Sequence, residues 1–221
     1  MSSTELQGPR LKLIELYASV QGESTHVGRP CTFIRLSGCH LRCTWCDSTY
    51  TFKGGDWWTF EQILSRVAEL GPRLVEVTGG EPLLQKNCIP LMQALIDQGY
   101  EVLLETSGAS DISEVPDGVR IIMDLKPPDS GEEKRNIWEN LDHLDSEDEL
   151  KFVIASRRDY EWSREVVRVR GLEGRLSLLF SPAWGLIEPR ELVDWIMEDR
   201  IDVRFQLQIH KVLWPSAERG V

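Results

Sequence analysis

Three cysteines, Cys39, Cys43 and Cys46, crowd into eight positions of the loop Gly38-Cys39-His40-Leu41-Arg42-Cys43-Thr44-Trp45-Cys46-Asp47. The spacing C-x3-C-x2-C lets a short loop wrap three thiolates around one face of a cubane iron–sulfur cluster. A four-iron cluster normally takes four cysteine ligands. Three leave one iron with a free site, and a free site is where chemistry enters. The competing reading is a structural zinc ion, which needs a fourth ligand. Cys31, His40 or His26 would have to supply it. Cys31 lies in the apolar run Cys31-Thr32-Phe33-Ile34 and reads as core. The chain has five cysteines, an odd number, and three sit close together. In a reducing compartment that pattern favours metal binding or catalysis over disulfides.

A second group, Thr78-Gly79-Gly80-Glu81-Pro82, follows a strand-like run. Glycines there let a backbone approach a ligand closely. Alone, the group reads simply as a turn.

The elements that must position these groups alternate between strand and helix. Lys12 to Tyr17 and Cys31 to Ser37 read as strands. Thr59, with Gln62 three residues on, opens a helix as a capping box, and Gly71-Pro72 ends it. Leu74 to Thr78 is a strand, Ile89 to Gln98 a helix, Glu101 to Thr106 and Val119 to Leu125 strands. Asn136 to Leu144 is a weak helix and Leu150 to Ala155 a strand. Arg158 to Arg170 is a helix, Arg175 to Ser181 a strand, Pro189 to Glu198 a helix, and Val203 to Ile209 a last strand. This alternation predicts a parallel α/β sheet. Without a glycine-rich dinucleotide fingerprint it predicts a partial (βα)6-type TIM barrel, with a doubly wound open sheet as the alternative. Polar residues collect just after the strands: the cysteine loop, Thr78 to Glu81, Glu105-Thr106, Asp124 and Lys126, Ser181, and His210. In a βα barrel such positions converge on one rim. Asp129 to Asp148 reads as an acidic, solvated insertion. No boundary divides residues 1–221, so one domain is expected.

Composition limits the partners. The 221 residues are 41% hydrophobic and 28% charged, with a net charge of −11. That is enough apolar content for a sizeable core, and the acidic balance argues against a nucleic-acid partner. No run approaches the roughly 18 apolar residues of a membrane span. The polar start, Met1 to Arg10, has no signal pattern, so a cytoplasmic protein is expected.

The cysteine loop after a first strand, with Trp45 just before its last cysteine, resembles the radical S-adenosylmethionine superfamily. The Gly-Gly-Glu-Pro turn one βα unit later strengthens the resemblance. It implies a 4Fe–4S cluster on Cys39, Cys43 and Cys46, with S-adenosylmethionine chelating the open iron. An electron from the cluster would then yield a 5′-deoxyadenosyl radical. Cofactor contacts are implied for Trp45, Cys46, Asp47, Gly80, Glu81, Asp124, Leu125 and Lys126.

Val20-Gln21-Gly22-Glu23, Phe33 to Cys39, and Cys46-Asp47-Ser48 resemble the 7-carboxy-7-deazaguanine synthase family more narrowly. So do Glu105 to Gly108, Asp124 to Pro127, Glu149 to Phe152 and Gln208 to Lys211. This resemblance implies ring contraction of 6-carboxy-5,6,7,8-tetrahydropterin with loss of ammonia, in queuosine and deazapurine biosynthesis. It implies Mg2+, with Ser48 as a ligand. Arg35 suits the substrate carboxylate, because its fork makes paired charged hydrogen bonds. Val20, Gln21, Gly22, Glu23, Thr78 and His210 would complete the substrate site. Ser24 departs from the glycine often found after Gln-Gly-Glu, and serine disfavours positive φ. A homodimer is expected, with Trp195 or Trp214 as interface residues, and an electron donor of flavodoxin or ferredoxin type. A glycyl-radical-enzyme activating enzyme is the alternative, since those relatives share the cysteine loop.

Overall fold

The computed structural model describes residues 8–215 and 219–220. Residues 1–7 of the polar start lie outside the described residues. The elements run β1 (Arg10–Val20), β2 (Pro30–Leu36), β3 (Asp56–Thr59), α1 (Phe60–Leu70), β4 (Leu74–Gly79), α2 (Cys88–Asp97), β5 (Glu101–Thr106) and β6 (Val119–Asp124). They continue with β7 (Glu149–Ile154), α3 (Arg157–Val169), β8 (Ser177–Pro182), α4 (Pro189–Asp199), β9 (Arg204–Phe205) and α5 (Ile209–Leu213).

All the strands join one sheet in the order β3-β1-β2-β4-β5-β6-β7-β8-β9. Every pair from β2 to β9 is parallel, and β1 is antiparallel to both its neighbours. The parallel order never reverses. A doubly wound sheet reverses at a switch point, so that alternative falls. Right-handed crossovers then place the helices on one face. The other face becomes the inside of an open, partial barrel of α/β type.

Period-two alternation divides each strand between the two faces. Outward residues Ile34, Leu36, Val75, Val77, Val102 and Leu104 pack with Ile63 and Val67 of α1 and with Leu91, Met92 and Leu95 of α2. In the second half Phe152, Ile154, Leu178 and Phe180 pack with Tyr160, Val167, Leu192 and Ile196. The inward face begins apolar, with Cys31, Phe33, Leu74, Leu103 and Ile122. Two residues further along from Phe33, Leu74, Leu103 and Ile122, four strands turn charged: Arg35, Glu76, Glu105 and Asp124.

Three expectations change. Val203 to Ile209 is not one strand. Only Arg204 and Phe205 pair with β8. The Ile209 N–H then donates to Gly22 O at 3.0 Å, which draws the chain across the rim into α5. Asn136 to Leu144 forms a short 3-10 turn, Trp138–Asp142, instead of an α-helix. Asp129 to Asp148 is not a solvated insertion, because Ser130, Asn136, Asn140 and Asp148 are buried. Their short polar side chains satisfy backbone groups that no ladder reaches. Asn136 accepts from Lys126 N and donates to Lys126 O, both at 2.9 Å. Asp148 accepts from Ile121 N at 2.8 Å. The strand β3 was not foreseen, and it pairs with the start of β1.

The capping box at α1 forms as expected. Thr59 Oγ1 accepts from Gln62 N at 3.3 Å, and Gln62 Oε1 accepts from Thr59 N at 2.8 Å. Thr59→Ala is expected to cost about 1 kcal/mol of stability, read as a lower urea midpoint. An unchanged midpoint would mean that α1 draws no support from its cap.

Candidate active site

The polar ends of the inward strands and the cysteine loop enclose one cavity of about 660 Å³. That is an ordinary size for a small-molecule site. Cys39, Cys43 and Cys46 all line it and none is in a disulfide. Among the described residues no three His, Cys, Asp or Glu side chains converge closely enough for a single metal ion. A tetrahedral zinc ion would need such convergence, whereas a cubane spreads its thiolates more widely. Burial pushes the Cys39 thiol upward and the Cys43 thiol up to about 11.

The loop is held from both sides. Thr44 N donates to Ser130 O at 3.0 Å, and Glu81 N donates to Gly38 O at 2.8 Å. Gly80 makes the second contact possible. A β-carbon there would lie 2.5 Å from Cys39 Cβ and 2.5 Å from Gly38 O. The Gly-Gly-Glu-Pro turn therefore packs its backbone directly on the cysteine loop.

Of the cofactor contacts expected from sequence, Trp45, Cys46, Asp47, Gly80, Asp124 and Lys126 line the cavity, as does Ser48. Glu81 and Leu125 do not. Glu81 is fully buried and accepts from Leu83 N at 3.0 Å, Ser107 N at 2.8 Å and the Thr106 hydroxyl at 3.0 Å. Its carboxylate serves the turn and the end of β5, not the cavity. Leu125 is fully buried in the outer core.

Among the expected substrate residues, Val20, Gln21, Gly22, Glu23, Arg35, Thr78 and His210 line the same cavity. The Gln21 amide is already engaged. Its Nε2 donates to Glu76 Oε2 at 2.6 Å, and its Oε1 accepts from Glu23 N. The amide therefore shapes the turn. Ser24 adopts a φ of 62° in spite of its side chain. Its Oγ accepts from His26 N at 3.0 Å, which offsets that strain. The His210 ring lies on Gly22, where a β-carbon would be 2.2 Å from Nδ1. Gln208 Nε2 donates to Glu23 Oε1 at 2.8 Å, so α5 and the turn form one wall.

Arg35 is nearly buried and held by two partners. Its Nε donates to Glu15 Oε1 at 2.7 Å and its Nη2 to the Tyr17 hydroxyl at 2.9 Å. Tyr50 donates to the same Glu15 oxygen at 3.1 Å. Nη1 of Arg35 has no partner among the described residues, so one edge of the fork remains open.

The comparisons with known proteins can be set on this geometry. The Radical SAM superfamily profile matches residues 33–169. A 7-carboxy-7-deazaguanine synthase of Koribacter versatilis is 46% identical over 226 residues, covering 96% of this chain and 100% of that relative. The same-named protein of Chlorobaculum tepidum is 42% identical over 214 residues, covering 96% and 97%. The chain belongs to the 7-carboxy-7-deazaguanine synthase family of the Radical SAM superfamily. The crystal structure of QueE from Escherichia coli matches with a TM-score of 0.74 at 22% identity, over 90% of this chain and 94% of that one. That match carries the fold. Membership in the superfamily implies a 4Fe–4S cluster, S-adenosylmethionine, a reductant and a small-molecule substrate.

In this member of the synthase family the cavity wall also holds charges that the sequence reading did not assign, among them Glu76, Glu105, Lys151 and Lys211. Lys151 Nζ donates to Glu105 Oε1 and, at 3.1 Å, to Glu23 Oε2, and it lies 3.8 Å from Asp124 Oδ2. Lys126 Nζ donates to Asp124 Oδ2 at 2.9 Å, and Lys211 Nζ to Asp47 Oδ2 at 2.6 Å. A signal for them existed. Glu76, Glu105 and Lys151 are charged residues inside otherwise apolar strands, each in phase with an inward-facing neighbour.

Burial, then the nearby Glu105, holds the Glu76 carboxyl well above the usual carboxylate range. Burial also raises Glu105, but the Lys151 ammonium outweighs it and Glu105 lies below that range. The folded protein thus keeps a proton on Glu76 where the unfolded chain, with a carboxyl pKa of about 4.3, has lost it. Between those two values folding stability falls as pH rises. Glu76→Gln mimics the protonated carboxyl and escapes that loss. Its stability relative to the parent is expected to grow as pH is raised from about 5 to 8. Melting temperatures across that range check it, and a pH-independent difference would refute the buried proton.

Proposed function

We propose that the chain converts 6-carboxy-5,6,7,8-tetrahydropterin to 7-carboxy-7-deazaguanine with release of ammonia, as a radical S-adenosylmethionine lyase. The observation that carries this reading is the open edge of Arg35 on the same cavity as the three cysteines. A fixed guanidinium edge fits a carboxylate, and the cysteines fit a cluster with one open iron. Asp124 supports the same fit. Its Oδ1 is buried beside the cysteine loop and has no partner among the described residues. It is suited to accept from a bound S-adenosylmethionine.

When bound, the cluster and S-adenosylmethionine supply the one-electron chemistry that removes a hydrogen from the substrate. The protein's residues bind and orient. Arg35 takes the substrate carboxylate. Glu23 and the backbone of Val20 and Gly22 meet the amino and amide edge of the pterin, with Thr78 and His210 closing the site. Trp45, Asp47, Gly80, Asp124 and Lys126 would hold S-adenosylmethionine. Ser48 is the proposed Mg2+ ligand, since magnesium takes few protein oxygens and keeps its waters.

Residues 1–221 act as one domain in this reading, as a cytoplasmic homodimer reduced by a flavodoxin- or ferredoxin-type donor. Trp195 is a weaker interface candidate than Trp214, because it packs on Tyr160 at 5.4 Å between ring centroids. The near-complete coverage of the named synthases favours this function over a glycyl-radical activating enzyme.

The deciding assay is anaerobic, with reconstituted enzyme, reductant, S-adenosylmethionine and the carboxypterin. Absence of a deazaguanine product would reject the assignment. Arg35→Ala is expected to weaken substrate binding about 10- to 100-fold, the worth of a charged hydrogen bond, while cleavage of S-adenosylmethionine persists. Equal loss of both would count against the carboxylate role. Ser48→Ala is expected to raise the Mg2+ concentration needed for half-maximal turnover, and an unchanged requirement would remove Ser48 from the magnesium shell.

A further inference from the structure

The strand β1 carries an irregularity that the reading above does not use. It pairs Leu13 with Leu36 and Glu15 with Arg35, so Ile14 is an extra residue, a β-bulge. Leu13 and Leu36 both lie in the outer core. Under strict alternation Glu15 would share the face of Leu13. The bulge turns it inward instead, directly opposite Arg35. Tyr17 follows it inward and stacks on Phe33 at 5.2 Å between ring centroids. Bulges next to active sites re-aim side chains in this way.

Neither Glu15 nor Tyr17 lines the cavity, whereas Arg35 does. A guanidinium has five N–H donors in a rigid planar fork. Glu15 takes the Nε hydrogen at 2.7 Å, and Tyr17 takes one on Nη2 at 2.9 Å. Nε and Nη2 together form the side-on edge of the fork. The hydrogens left over belong to Nη1 and to the rest of Nη2, which is the end-on edge. The Glu15 oxygen that holds Nε also accepts from the Tyr50 hydroxyl at 3.1 Å. Tyr50 sits in the 3-10 turn Thr49–Phe52, shortly after Cys46, and lines the cavity. One carboxylate oxygen thus bridges the arginine of β2 and the segment that continues the cysteine loop. The Arg35 and Glu15 side chains are only 16% and 15% exposed, so water competes weakly for this bridge.

We propose that Glu15 is the positioning residue that aims Arg35. It blocks the side-on edge, presents the end-on edge to the substrate carboxylate and, through Tyr50, holds that edge in register with the cysteine loop. This rests on the pterin reading. Arg35 supplies the charge, and Glu15 decides where the carboxylate sits. Without Glu15 the fork regains its side-on edge, and a carboxylate can pair with either edge. The substrate then binds in a second pose, with its reacting carbon displaced from the radical source. A displacement of about 1 Å costs on the order of 100-fold in rate.

The test uses the full chain with its cluster loaded. Affinity for 6-carboxy-5,6,7,8-tetrahydropterin is measured without reductant. With reductant, 5′-deoxyadenosine accumulated per deazaguanine formed is counted. Glu15→Ala is expected to bind the pterin within about threefold of the parent, because Arg35 keeps its charge and its donors. Its 5′-deoxyadenosine per product is expected to rise about 10- to 100-fold. Glu15→Gln is expected to restore most of the coupling, since its amide oxygen accepts from both Nε and Tyr50. Tyr50→Phe, which leaves the Arg35–Glu15 pair intact and cuts the bridge, is expected to raise the ratio by less than Glu15→Ala does.

A parent-like ratio in Glu15→Ala would overturn the proposal. So would a proportional loss of pterin binding, S-adenosylmethionine binding and product with the ratio unchanged, which is the mark of a merely structural residue. If Glu15→Ala does not fold, Tyr50→Phe decides, and a parent-like ratio there overturns the bridge. Failure of the parent itself to bind the pterin sinks the substrate reading instead.

Discussion

A single buried ammonium joins four parts of the chain. Lys151 on β7 reaches Glu23 in the turn after β1, Glu105 at the end of β5 and Asp124 at the end of β6. None of these contacts is local in sequence. Taking such charges out of water costs several kcal/mol per ion, and only close, hydrogen-bonded partners recover it. Removing one partner of a buried pair typically costs about 3–5 kcal/mol, because the remaining charge is left uncompensated. The cavity wall is therefore expensive to rearrange. An open barrel edge gives no closure of its own, and this network ties the turn to the middle of the sheet in its place. The shape of the site follows from that tie.

The second constraint is close approach of backbones. The cysteine loop can sit on the Gly79-Gly80 turn only because Gly80 has no β-carbon. The α5 segment can lie on the turn after β1 only because Gly22 has none. These two contacts bring three loops from distant parts of the chain around one volume. Period-two alternation does the rest. It places apolar Phe33, Leu103 and Ile122 at the floor and Arg35, Glu105 and Asp124 above them, without any change in strand direction.

Much of this was legible in the sequence. The alternation of β and α runs gave the parallel sheet, and the polar residues after strands marked the rim. Cys39, Cys43, Cys46, Gly80 and Arg35, singled out from the sequence, do line the cavity. What escaped were properties of contact. Glu81 looked like a ligand residue, but Thr106 and Ser107 turn it inward to close the end of β5. Gln21 looked like a ligand reader, but Glu76, 55 residues away, takes its amide. Val203 to Ile209 alternated like a strand, and only its contact with Gly22 shows why it stops after Phe205. The acidic run 129–148 looked solvated because composition does not show which short polar side chains cap buried backbone.

Glu76 and Glu105 show how one residue type divides into two roles. They lie on adjacent strands of the same inward face, and both feel Lys151. Two carboxylates sharing a buried site do not both ionise easily. The direct contact with Lys151 belongs to Glu105, so Glu105 takes the charge and Glu76 keeps a proton. The neutral one lies deeper, 2% exposed, and anchors the turn through Gln21. The ionised one stands at the cavity with acceptor capacity to spare. Exchanging their environments would place a charge in the anchor and a neutral group at the cavity. The position of one ammonium on β7 therefore decides which glutamate holds its proton and anchors the turn and which carries its charge.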